Sequence, residues 1–156
     1  MAWSASKIFS SYITDVLNNT TAMDLNTDAL LEAALFDNSL TPDQTVVSAS
    51  SAYGAGVWAG GGQSSGTSWP ALGRPLASVT STFTTNVFTF TAANTVSADS
   101  SATLSGTYGC LIYDKTITTP VSGQGICFNY FGGVNSVTSG QFTVVWNASG
   151  IFALTL

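Results

Sequence analysis

Residues 79–92 read VTSTFTTNVFTFTA, an alternation of phenylalanine and threonine interrupted once, at Thr85-Asn86. A period of two commits the stretch to strand, with one apolar and one hydroxyl face, and the Thr-Asn pair supplies a hairpin tip. That apolar face constrains the rest of the chain, because an isolated hairpin is at best marginally stable and needs a second layer to cover it. Further strand patterns follow over 102–113 (ATLSGTYGCLIY), 125–131 (GICFNYF), 141–146 (QFTVVW) and 151–156 (IFALTL). Gly106 and Gly109 mark possible bulges in the first of these. Asn147-Ala148-Ser149-Gly150 reads as a four-residue hairpin loop joining the last two. The fold class expected is mainly β, an antiparallel β-sandwich or barrel.

The N-terminal part departs from this pattern. Over 6–18, Ile8, Phe9, Tyr12, Ile13, Val16 and Leu17 form a stripe of helical period, with Ser4 or Ser6 as cap and Asn18-Asn19 as stop. Residues 29–36 (ALLEAALF) are rich in helix formers. The segment is short and stops at Asp37-Asn38-Ser39, and we read it as a buried strand. The domain expected is a single unit over 1–156, with a helical arm over 1–20 and a Gly/Trp-rich loop over 54–75. Trp58 and Trp69 in that loop would be costly to leave in water. The loop therefore folds back or meets another subunit, and core packing, a protein interface and sugar stacking remain open readings for the two rings.

Composition removes several functions. Charged residues are 7% of the 156, against about 25% in ordinary domains. A net charge of −5 lacks the basic footprint that phosphates require, so no nucleic-acid partner is expected. With no histidine, Ser-His-Asp and Cys-His nucleophile systems are excluded, along with the commonest metal ligand. Mean hydropathy is +0.31, yet no run approaches the ~20 apolar residues of a membrane span. The opening residues lack the charged-then-apolar order of a secretory leader. The expectation is a soluble protein made without export, no enzyme, with neither cofactor nor metal.

Individual motifs take structural readings. On a hairpin centred near Thr118-Thr119, Cys110 and Cys127 would stand opposite one another; in a reducing compartment they are expected as small buried thiols. Asp24-x-Asn26-x-Asp28 opens like a calcium loop but continues with Ala29 where glycine is needed and Leu35 where glutamate is needed, so a capped turn is the better reading. Asp114-Lys115 reads as a solvated turn. Ser and Thr exceed a quarter of the chain, and such short neutral side chains cover broad contacts at little ordering cost.

The order of these segments is itself informative. After the helix come Met23-Asp24-Leu25-Asn26-Thr27-Asp28 and Ala34-Leu35-Phe36-Asp37-Asn38-Ser39-Leu40-Thr41-Pro42-Asp43. Then follow Trp69-Pro70-Ala71-Leu72-Gly73-Arg74-Pro75-Leu76, Leu111-Ile112-Tyr113-Asp114 and Phe128-Asn129-Tyr130-Phe131-Gly132-Gly133. Phe142-Thr143-Val144-Val145-Trp146-Asn147 and Gly150-Ile151-Phe152 complete the series. Across nearly the whole chain this order resembles a family of small structural proteins of tailed bacteriophages, especially those of actinobacteria. Its motifs are turns and strands, none a catalytic signature.

The resemblance implies a virion component, foremost a decoration (cement) protein on the outside of the capsid, made in the host bacterial cytoplasm. Its partner would be the major capsid protein, and it would act as a homo-oligomer, a trimer in the favoured form. The contact elements expected are the N-terminal segment around Trp3 and Lys7 and the loop carrying Trp58, Trp69 and Arg74. The alternative is a minor tail or fibre-associated protein that contacts host-surface glycan. A hydrolytic virion enzyme is a distant third.

Overall fold

A computed structural model describes residues 3–21 and 23–156. It is mainly β, 43% strand and 12% helix, with antiparallel sheets and a short N-terminal helix. The centre is β2 (Leu31–Phe36), every residue of which is buried. Its helix-forming composition is overridden because a run that is apolar at every position but Glu32 can be covered on both faces inside a sheet. On one side β2 pairs with β8 (Ala102–Asp114), which pairs with β9 (Gly125–Gly140), and β1 (Lys7–Ile8) adds to β9. On the other side it pairs with β3 (Gln63–Ser64) and β4 (Arg74–Pro75).

A separate three-stranded sheet holds β5 (Ala77–Thr84), β6 (Val87–Ala93) and β11 (Phe152–Thr155) in the order β11-β6-β5. The β5–β6 turn is the expected Thr85-Asn86 tip, both residues at positive φ (49° and 63°), the primed-turn geometry that matches strand twist. Phe83 faces Phe88 across the hairpin while Thr80 and Thr91 join hydroxyls at 2.7 Å on the other face.

Three expectations change. The helical stripe is broken at its start: Lys7 and Ile8 pair with Phe128 and Cys127, so α1 spans only Ser10–Leu17. No side chain caps it, and Ser6 Oγ instead accepts the Tyr130 N–H at 2.9 Å. Second, β10 (Thr143–Val144) and β11 are not a hairpin. β10 pairs with β7 (Thr95–Val96) and β11 with β6, because each finds its uncovered apolar partner elsewhere. Third, β9 runs nine residues past its expected end at Phe131, since its polar half has the outer half of β8 to pair with. Gly106, at φ 69°, lies in the bulged register between Leu104 and Thr107.

Candidate functional site

The Gly/Trp-rich loop folds back. Trp58 is 2% exposed and packs edge-on against Trp3, Phe9 and Phe36 at ring separations of 5.9, 6.3 and 5.0 Å. Trp69 is fully buried; its Nε1 donates to the Ala33 carbonyl at 3.1 Å and its ring meets Phe142 edge-on. Trp3, 1% exposed, donates Nε1 to the Asp37 carbonyl at 2.7 Å. Of the open readings, core packing is the one realised. None of these three rings is offered to a partner, because enclosing a tryptophan releases more apolar surface from water than any other side chain here. Lys7 is exposed on β1, and Arg74 is half-buried with Nε on the Val96 carbonyl at 3.2 Å. The five residues do not converge on one surface.

Apolar surface is exposed elsewhere. Along the Phe face of the three-stranded sheet, Val79 and Phe90 are buried, but Phe83 toward the tip remains 60% exposed. Val16 and Leu17 on the last turn of α1 are 40% and 80% exposed, and Leu156 is 75% exposed. Together with Tyr12, Phe88, Phe152 and Leu154 these residues line an open groove of about 640 Å³ between α1 and the sheet. One wall is clamped by the segment between α1 and β2. Asn26 Oδ1 accepts from the Ser81 N–H and hydroxyl at 3.1 and 2.9 Å, and the Asp28 carboxylate accepts the Ser78 and Val79 N–H groups at 2.8 and 2.7 Å.

Asp24 bends this segment by accepting from the Asn26 N–H at 2.8 Å and the Thr27 hydroxyl at 2.5 Å. The Thr27 hydroxyl, then the Asn26 amide, lower its pKa. Asp24-x-Asn26-x-Asp28 is thus the expected capped turn, and it also occupies outward amides of edge strand β5. Burial raises the pKa of the Tyr12 phenol well above its ordinary value, with the nearby Cys127 and Asp114 adding to the effect. The groove floor is therefore uncharged, and among the described residues Asp24 is the only acidic side chain lining it.

Two motif readings are corrected. Cys110 faces Asn129 and Cys127 faces Ile112, so the thiols are diagonal rather than opposed, because the hairpin closes about Thr119-Pro120. Both are free and buried as expected, and burial pushes both thiols up in pKa, which disfavours the reactive thiolate. Asp114-Lys115 is not a solvated turn: Asp114 is 1% exposed and accepts from the Thr116 N–H at 2.7 Å and its hydroxyl at 2.6 Å. Lys115 Nζ reaches Glu32 Oε1 at 2.7 Å, since a carboxylate on the buried central strand needs a counter-charge.

Among the described residues, no group of three or more His, Cys, Asp or Glu side chains is placed to hold a metal. Among the same residues, no helix is long and apolar enough to cross a membrane. The groove offers apolar area and backbone shape, which is the chemistry of association. Its sequence signal was the doubled stripe: Val16 and Leu17 at the end of the helix, and Phe83, Phe88 and Phe90 on one face of the hairpin. No family model matches the chain, and no curated protein or solved structure matches it.

Proposed function

We propose that this protein is a structural component of a tailed-bacteriophage virion, a decoration protein that binds the outside of the head, and that it is not an enzyme. The observation that carries this reading is the groove between α1 and the β11-β6-β5 sheet, where Val16, Leu17, Phe83 and Leu156 stand open to water. Covering such side chains contributes on the order of 1.5–3 kcal/mol each when burial is complete. The occupant we assign is an apolar segment of the major capsid protein, because among the described residues the groove carries a single acidic side chain and no basic one to select a charged ligand.

The mechanism is thermodynamic. A subunit that binds only the assembled shell stabilises it by mass action. In a homo-oligomer, with the trimer favoured, several modest contacts combine through effective concentration. The scarcity of lysine and glutamate lowers the ordering cost of each contact.

The test is the copy number in purified virions, by quantitative mass spectrometry against the shell subunit, together with attachment of a Leu17→Ser, Phe83→Ser variant. Copies in simple proportion to the shell subunit, and loss of attachment by the folded variant, are the expected results. A handful of copies, or none, overturns the decoration role. Undiminished attachment removes the groove from it.

A further inference from the structure

We infer that a second cleft, between the bulge of β9 and the β10 segment, is a binding site for a neutral sugar. Its origin is a break in register. Gly109 of β8 faces Tyr130 of β9, and the next aligned pair is Thr107 with Asn135. Five steps on one strand are set against two on the other, so Phe131 to Val134 loop out of the ladder. Gly132 allows this at φ 81°, and a Cβ there would meet nothing within 4 Å; conformation, not crowding, calls for glycine.

The consequence is a change of direction. Tyr130 and Phe131 are sequence neighbours, which a regular strand would send to opposite faces. Here both line the same cleft of about 400 Å³, and re-aiming a side chain is a recurrent use of bulges beside functional sites. Phe142, Thr143, Val144 and Val145 form the opposite wall, with Phe142 held in place by its edge contact to Trp69 at 5.7 Å.

The chemistry of the lining selects the ligand class. Tyr130 and Phe131, partly buried and packed against the core, line the cleft and would supply aromatic surface for the C–H faces of a pyranose. Asn135 donates Nδ2 to the Gly133 carbonyl at 3.0 Å, which leaves Oδ1 as an acceptor for a sugar hydroxyl. The Tyr130 and Thr143 hydroxyls add groups that both donate and accept. Among the described residues, no Asp, Glu, Lys or Arg lines the cleft, so no charged side chain there would repay the desolvation of a phosphate, a carboxylate or an ammonium. The volume lies near the lower end for small-molecule sites, which suits about one or two sugar rings.

This site is independent of the groove and of the capsid reading. The test is a two-dimensional amide NMR titration of the whole chain with maltose, cellobiose, lactose and N,N′-diacetylchitobiose, and with sialyllactose as a charged comparator. At least one neutral probe is expected to give saturable shifts confined to 130–135 and 142–145, with millimolar affinity. Asn135→Ala and Tyr130→Ala are each expected to weaken that affinity about tenfold, with the remaining amide spectrum unchanged. The wild-type map stands even if a variant misfolds. No saturable shift with any neutral probe, shifts that map to the α1 groove, or tighter binding of sialyllactose would overturn the proposal.

Discussion

Trp3 lies directly over Gly109: a Cβ on Gly109 would sit 2.5 Å from Cζ3 of the indole and 2.8 Å from Cε3. A glycine inside a long strand ordinarily weakens it. Here the missing side chain is the space into which the N-terminal segment seats its ring, against Trp58 and Phe128. The Asn129 carbonyl closes the same space at 2.5 Å, so neither neighbour can yield without moving the sheet. Gly109→Ala is expected to lower unfolding stability by roughly 1–3 kcal/mol, as overpacking does. Denaturant midpoint and tryptophan emission should shift together; an unchanged midpoint would refute the contact.

Asp28 holds the groove wall through its two amide contacts to β5. Its removal leaves the Ser78 and Val79 N–H groups to water and frees an edge strand for misplaced pairing. Asp28→Ala is expected to cost about 1–2 kcal/mol and to speed hydrogen exchange at Ser78 and Val79. Exchange unchanged at both amides would count against the clamp.

Glu32 and Lys115 form a pair of unequal exposure, 8% for the glutamate side chain and 45% for the lysine. Lys115→Met would strand a buried carboxylate whose Oε2 already lacks a hydrogen-bond partner. A loss on the order of 2–4 kcal/mol is expected, at the lower end because the lysine is half solvated. Replacing both residues by methionine should restore most of it. A double variant no better than the single would show that the charge pair is not what the site requires.

Asp99 sets an acid limit. Its carboxylate accepts from the Ser101 hydroxyl at 2.5 Å, the Ser68 hydroxyl at 2.6 Å and the Ser101 N–H at 2.8 Å, and these bonds hold its pKa at about 2. Since the folded value lies below the unfolded one, the contribution to stability is complete above about pH 4 and is lost as pH falls toward 2. Asp99→Asn should make the stability profile shallower in that window, where Asp24 and Asp43 keep their own shares, and leave its slope at neutral pH unchanged. A wild-type profile that is flat below pH 4 would contradict the assignment.

What could be read in advance was what depends on near neighbours. The Thr85-Asn86 tip follows from two residues that tolerate positive φ between alternating flanks. β2 follows from the shortness of the segment 29–36 and its stop at Asp37-Asn38-Ser39 in a chain otherwise rich in strand patterns. The start of the helix is set from outside the helix: Lys7 and Ile8 satisfy a helical period, and only Phe128 and Cys127, far along the chain, make them strand. The separation of β10 from β11 has the same cause. Each is a short apolar run beside a plausible turn, and the partner each takes lies about fifty residues or more upstream.

The sequence by itself determined the alternation, the turns, the poverty of charge and the absence of histidine, because these are properties of residues and their immediate spacing. Only the tertiary structure decided which aromatic rings face water. Apolar burial is proportional to area and blind to sequence distance, so the expected contact residues Trp3, Trp58 and Trp69 went into the core. The same folding left Leu17 and Phe83 uncovered, because they line an open groove between α1 and the sheet that no other segment of the described chain fills.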